Sequence, residues 1–220
     1  MRRGLPIAVA AAAVVALLLA ATGLSAAGDP KSAFTKAGQA AAKAAVLLKA
    51  DLPAGTWKAA PSDFTQSNPA CFVQNYSLSA LTMTGEAGTV YSQAGGVPSI
   101  ESDVHVFLTT AQAKRAVTIL SPAGLGQCEG AALIATFTGS AKGRSGKLAS
   151  SQKLIIPSAT FATSTVVQLH TTQGDLIVDI VDIGIRKGKV LAGLHLLRFN
   201  TLWSESTLVA LTKKSAARLS

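Results

Sequence analysis

The stretch Ser164 to Phe199, STVVQLHTTQGDLIVDIVDIGIRKGKVLAGLHLLRF, decides the fold. It reads as three strands, Ser164–Thr171, Leu176–Ile185 and Val190–Phe199. Thr172-Gln173-Gly174-Asp175 and Arg186-Lys187-Gly188-Lys189 are the hairpin connections, each with glycine beside polar residues. The last two strands are apolar at odd and even positions alike. A half-solvated strand would alternate, so both faces of this sheet are expected to be covered. Asp179 and Asp182 interrupt the apolar run three residues apart, which points them to opposite faces. They therefore do not form a glycosidase pair by themselves. Asp179 either pairs with Arg198 on the neighbouring strand or lines a cleft.

Upstream, Ser99–Thr109 is strand-like, with Val104, Val106 and Leu108 on one face and Asp103, His105 and Phe107 on the other. Leu78–Thr84 and Thr89–Gln93 are weaker strands around a turn at Gly85-Glu86-Ala87-Gly88. Ser32–Asp51 carries Phe34, Ala37, Ala41, Ala44 and Leu48 at helical spacing, with Ser32 as its cap and Pro53 as its stop. Trp57 is placed to pack back on that helix. Residues 58–77 are expected to be irregular. Thr110 caps a helix over Ala111–Leu120, and Leu125–Phe137 forms another that carries Cys128. The Gly, Ser and Lys-rich stretch 139–152 is expected to be a loop. Ser204-Glu205 opens a terminal helix with Leu208, Leu211 and Leu219 as its core residues. Strand runs with helices at the ends give an α+β class: an antiparallel β-sheet packed with N- and C-terminal helices. No internal repeat is present.

The chain has 220 residues, 49% of them hydrophobic and 14% charged, so it is neither disordered nor collagenous. Aromatics at 5% argue against a base-stacking nucleic-acid reader. Met1-Arg2-Arg3, the apolar run Ile7–Ala21 and the small residues Ser25-Ala26-Ala27 read as a signal peptide over 1–27, cut between Ala27 and Gly28. An uncleaved anchor is the alternative. No cysteine stands at the cleavage point, so a lipid anchor is not indicated. A linker over 28–32 and one domain over 33–220 follow. Export makes a Cys71–Cys128 disulfide the expected state, with two buried thiols as the alternative. Closing that loop of about 58 residues is worth roughly 4 kcal/mol at most on chain-entropy grounds.

These residues resemble the PknH-like extracellular sensor domains of actinobacterial receptor kinases and related exported proteins, which share a PsbP-like fold. The resemblance rests on the helix leading into Ala50-Asp51-Leu52-Pro53-Ala54-Gly55 and on Cys71 ahead of Thr82-Met83-Thr84-Gly85-Glu86-Ala87. It rests also on Ile100-Glu101-Ser102-Asp103-Val104-His105-Val106-Phe107, the helix before Cys128, and the closing hairpin and helix. It covers about residues 33 to 220. It implies a non-catalytic, extracytoplasmic ligand-sensing domain. The kinase sensor has two disulfides where this chain allows one, and the 220 residues carry no kinase domain.

The formal net charge is +9, or +7 without Arg2 and Arg3. The excess lies at Lys142, Arg144, Lys147 and Lys153, at Arg186, Lys187 and Lys189, and at Lys213, Lys214 and Arg218. Outside the cytoplasm the accessible polyanions are cell-wall polymer or a membrane surface, not nucleic acid, and Arg186, Lys187 and Lys189 are the candidate contacts. A solvated basic surface without a specific partner is the plainer reading. His105, His170 and His195 each fall in a predicted strand and are read as three separate sheet residues rather than a zinc site. No Gly-x-Ser-x-Gly elbow occurs. Gly143-Arg144-Ser145-Gly146-Lys147 lacks the flanking residues of a phosphate loop, having Ala141 and Leu148 instead. No catalytic, cofactor or metal residues are therefore assigned, and an enzyme is not expected. The expected function is a secreted, non-enzymatic binding or sensor-like domain of the cell envelope. The alternative is a carrier or chaperone for an apolar or lipid ligand. Convergent acids or histidines in a pocket would favour an enzyme, apolar walls a carrier, and a shallow polar groove a sensor.

Overall fold

The structure is a computed structural model that describes residues 29–62, 70–122, 124–140, 143–171 and 174–219. The leader and the Ala27–Gly28 junction lie outside the described residues, as does Lys142. The described residues form an α+β domain.

In chain order the elements are β1 (Lys31–Ser32), α1 (Lys36–Ala45), a short 3-10 turn (Lys49–Asp51), β2 (Lys58–Pro61), α2 (Ala70–Asn75), β3 (Thr82–Ser92) and β4 (Ser99–Phe107). Then come α3 (Thr110–Leu120), α4 (Gly124–Gly139), β5 (Ser145–Lys153), β6 (Phe161–Thr171), β7 (Gly174–Lys187), β8 (Val190–Phe199) and α5 (Glu205–Arg218). One eight-stranded sheet runs β1-β3-β4-β8-β7-β6-β5, with β2 also pairing β3. All pairings are antiparallel except β1 with β3. The sheet is therefore mixed at one edge rather than purely antiparallel.

The hairpin sequence sets the centre of this sheet. β7 and β8 turn at Gly188, whose φ of 57° suits glycine, and they pair from Lys187 with Val190 to Val178 with Phe199. Their two faces enter different cores, as the unbroken apolar pattern required. Val181, Ile183, Leu194 and Leu196 pack with Ile100 and Val104 of β4, Ala42 of α1 and Leu208 and Leu211 of α5. On the opposite face Val178, Ile180 and Leu197 meet Leu133 and Phe137 of α4, while Leu191 and Phe107 meet Ala113, Ala116 and Leu120 of α3. Ser204 caps α5, accepting from the Thr207 amide at 3.3 Å, and Leu219 is buried at its end. Trp57 is buried in the same core as α1.

Several local expectations are corrected. Ser32 does not cap the first helix. It lies in β1, so two of the five residues read as linker belong to the sheet. The cap is Thr35, whose hydroxyl accepts from the Gly38 amide at 2.9 Å. The face of α1 is also turned: Gly38, Ala42 and Ala45 are buried, while Phe34 is 47% and Leu48 53% exposed. The reason is backbone contact. A Cβ on Gly38 would lie 2.1 Å from the Thr84 carbonyl oxygen, so this helix meets β3 through its glycine rather than its larger side chains. The expected turn at Gly85–Gly88 is the interior of β3, with a bulge between Met83 and Gly85. Residues 58–61 and 70–75 are β2 and α2, not irregular chain. The cap of α3 is Thr109 instead of Thr110. The stretch expected to loop over 139–152 is largely β5, an edge strand. Its Ser and Lys side chains are what an exposed sheet edge carries. That also removes the phosphate-loop look-alike, because Ser145–Lys147 pair with β6.

Cys71 of α2 and Cys128 of α4 are joined, with Cα atoms 5.9 Å apart. Around the bond Phe72, Leu125 and Tyr76 form a small satellite core. It ties the short helix α2 to the side of α4.

Candidate functional site

Where the β5–β6 connection passes the start of α5, a cavity of about 250 Å³ opens on the α1/α5 face of the sheet. Its floor is Asp179 and Val181 of β7 with Ser164 of β6, and its walls include Ile155, Ile156, Leu202, Trp203 and Leu208. Parity places Asp179 here: it shares its face with Val181 and Ile183, while Asp182 points the other way. Ile155 is 98% and Leu202 61% exposed, so the rim of the cavity presents apolar side chains to water.

Asp179 is 2% exposed. One of its oxygens, Oδ2, accepts from the Trp203 amide at 2.7 Å, and Oδ1 accepts more weakly from the Ser164 hydroxyl at 3.4 Å. Burial raises its carboxyl above the usual range, and these two donors and the charge of Arg198 only partly offset the rise. The expected Asp179–Arg198 pair is met in register, since the two residues stand opposite each other across β7 and β8. The guanidinium does not close on the carboxylate but stacks 5.2 Å over the Trp203 ring. Both readings of Asp179 thus hold in part, with the cleft the stronger. The indole Nε1 of Trp203 is buried and has no hydrogen-bond partner.

The histidines lie on β4, β6 and β8 and do not converge. Each faces its own carboxylate. His170 Nδ1 is 2.7 Å from Asp175, His195 Nδ1 is 2.7 Å from Asp182, and His105 Nδ1 is 3.4 Å from Glu86 and 3.0 Å from the Met83 sulfur. The sequence reading missed what surrounds two of them. Glu86, Glu101, Asp103, His105, Asp182 and His195 share the α3/α4 face of the sheet, and Glu129 of α4 comes down upon them. Burial, with help from Glu101, Glu86 and Asp182, pushes the Asp103 carboxyl well up. Burial and then Asp182 do the same to Glu129. Burial pulls His195 down, but the adjoining Asp182 carboxylate outweighs it and the net shift is upward. The missed information was partly in the hairpin. The turn that pairs Lys187 with Val190 also sets Asp182 opposite His195.

Arg186, Lys187 and Lys189 surround the β7–β8 turn. The Arg186 guanidinium donates to the Gly188 carbonyl at 2.9 Å, and Lys187 and Lys189 are exposed. Elsewhere the basic surface is partly used internally: Arg218 bonds Asp51, and Arg144 stacks 5.0 Å from the Phe137 ring.

No protein-family model matches the sequence, and no curated protein matches it. The extracellular domain of PknH from Mycobacterium tuberculosis aligns in structure over 82% of this chain and 95% of that one, with a TM-score of 0.42 and 10% sequence identity. This is a distant structural resemblance and carries no inference about ligand or activity. No helix among the described residues is long and apolar enough to cross a membrane.

Proposed function

We propose that this chain is an extracytoplasmic, non-enzymatic binding domain of the sensor-like kind, and that its ligand occupies the Asp179 cavity. The observation that carries the reading is one buried acid at the floor of a largely apolar chamber that also holds Gln152, Ser164 and the exposed Glu205, beside an indole N–H without a protein partner. That arrangement suits a small ligand with an apolar body and a cationic or donor head group. The lining holds no histidine to serve as a base, and both Asp179 oxygens are already engaged in holding Trp203 and Ser164. The Cys71–Cys128 bond is of a type that persists in oxidising compartments and supports the location. The basic tip at Arg186, Lys187 and Lys189 is proposed to meet an anionic envelope surface.

The test uses amide NMR shifts of the mature chain, titrated with benzylammonium and with uncharged benzyl alcohol. Saturable shifts centred on Trp203 and Leu208 are expected, stronger for the cation, with the preference lost in Asp179→Asn. Shifts scattered over the surface for both probes would refute the site. The exposure of Ile155 and Leu202 at the rim favours a second reading, a carrier for an apolar ligand. A fatty acid would then bind regardless of Asp179→Asn, and Leu202→Ser would weaken it.

A further inference from the structure

On the opposite face from that cavity, we infer that Glu129, Asp182 and His195 form a binding site for a divalent first-row transition-metal ion. Three elements deliver the ligands. β7 and β8 set Asp182 opposite His195, and α4 brings Glu129 from above. One ligand atom from each lies within 4.8 Å of the other two. α4 can descend this far because it meets β6 through glycines. A Cβ on Gly126 would lie 2.1 Å from the Thr165 hydroxyl, and one on Gly130 would lie 3.2 Å from the Thr165 methyl. The turn of helix that carries Glu129 is pinned by its neighbour Cys128, bonded to Cys71.

Asp182 Oδ1 is hydrogen-bonded to His195 Nδ1 at 2.7 Å and Glu129 hydrogen-bonds to Asp182, but each of the three groups keeps one polar atom without a protein partner. Glu129 Oε2, Asp182 Oδ2 and His195 Nε2 are all buried without a hydrogen bond. Two side chains outside the triad add an independent sign. Thr163, 1% exposed, stands opposite Asp182 on the same face, and its hydroxyl is unpartnered. Asp103, 5% exposed, has an unpartnered Oδ1 within electrostatic reach of Asp182. Buried polar groups are normally satisfied, and three unpartnered atoms on one clustered triad, with two more on the same sheet face, call for a partner. A dication is that partner: two carboxylates and a neutral imidazole balance its charge. Mixed nitrogen and oxygen donors suit zinc, manganese or iron better than magnesium or calcium, which take oxygen. Thr163, directly across from Asp182 on the same face, is the neighbour placed to hold that ligand or a bound water.

The test is isothermal titration of the untagged mature chain, freed of metal by chelator, with Zn2+ and with Mn2+ and with Ca2+ as comparison. One equivalent of Zn2+ or Mn2+ should bind saturably, at least tenfold tighter than Ca2+, and should raise the melting temperature. Glu129→Gln and Asp182→Asn should each weaken binding at least tenfold, while His170→Asn, at the exposed histidine–aspartate pair, should not. Circular dichroism checks that the variants fold. Should they not fold, the wild-type stoichiometry and the His170→Asn control still decide. Absence of one-equivalent binding by the wild type, or loss of binding in His170→Asn, would overturn the site. So would folded Glu129→Gln and Asp182→Asn variants that bind as the wild type does.

Discussion

Adding a single methyl group at Gly38 should destabilise this protein, although the same change stabilises most helices. In an exposed helix interior Gly→Ala gains about 1 kcal/mol through propensity. Here the new Cβ would sit 2.1 Å from the Thr84 carbonyl oxygen and 2.5 Å from its carbon. Ordinary contact begins near 3.4 Å, so α1 must retreat by about 1.3 Å or β3 must give way. The obstacle is backbone in a sheet, which cannot swing aside as a side-chain tip can. Retreat loosens the burial of Ala42, Ala45 and Leu47 and strains the Leu47 amide bond to the Ser102 hydroxyl. Overpacking of this kind typically costs about 1–3 kcal/mol, and a contact with sheet backbone belongs at the upper end, so after the propensity gain of about 1 kcal/mol the net loss should be up to about 2 kcal/mol. Gly85→Ala meets the same contact from the other side, with its Cβ 2.1 Å from the Gly38 carbonyl oxygen. Once one methyl has displaced the helix, the second finds space already made. The double variant should therefore lose less than the sum of the singles. Urea unfolding of residues 28–220, followed by circular dichroism, measures all three. A Gly38→Ala variant as stable as the parent, or strict additivity of the pair, would refute backbone contact as the reason for the turned helix face.

The Cys71→Ser, Cys128→Ser pair should lower stability by about 2–4 kcal/mol in urea, the upper figure being the full chain-entropy value for this loop. Asp51 binds three donors through Oδ2: the Leu48 amide at 2.8 Å and two Arg218 nitrogens at 2.7 Å each. Burial raises its carboxyl, but these partners and Lys214 outweigh burial and leave it below the usual range. A depressed acid stabilises the fold above its unfolded value near 3.8 and loses that contribution as pH falls through the folded value. Asp51→Asn should therefore cost about 1 kcal/mol at pH 7 and flatten the stability curve below pH 4, read by thermal melts across pH. Retention of residues 28–220 on anionic vesicles should fall sharply between 0.1 M and 1 M salt, as the screening length shrinks from ~10 Å to ~3 Å. It should also fall when Arg186, Lys187 and Lys189 become glutamine. Retention that survives both changes would mark the basic tip as a solubility feature.

The parts of the fold legible in the sequence were those fixed by local rules. The β7–β8 hairpin follows from its turn, and its covered faces follow from unbroken apolarity. The cap of α5 follows from Ser204 and Glu205. What failed were segments whose state depends on a distant partner. β5 is polar along its length and becomes a strand only because β6 offers it an edge. Gly85–Gly88 has turn composition but continues β3 just past a bulge, paired residue for residue with Val106–Asp103 of β4. The helical period of α1 is real, yet the buried stripe is chosen by Gly38, because close backbone approach outbids a modest apolar face of alanines.

The two sites were legible to different depths for the same reason. Asp179 announced itself as an acid in an apolar strand, and hairpin arithmetic alone placed Arg198 across from it. The same register sets Asp182 opposite His195 on the far face, a pairing that the reading of the histidines as three separate sheet residues passed over. Glu129 obeys neither rule. It reaches that face only through the packing of α4, whose glycines allow a close approach and whose Cys128 is tethered to a short helix 57 residues away in sequence. A carboxylate on a helix of mixed character reads as solvated in one dimension. It becomes a buried partner of Asp182 only when sheet register, glycine contact and disulfide act together. Sequence periodicity can therefore nominate two of the three ligands of such a site, and the third has to come from tertiary structure.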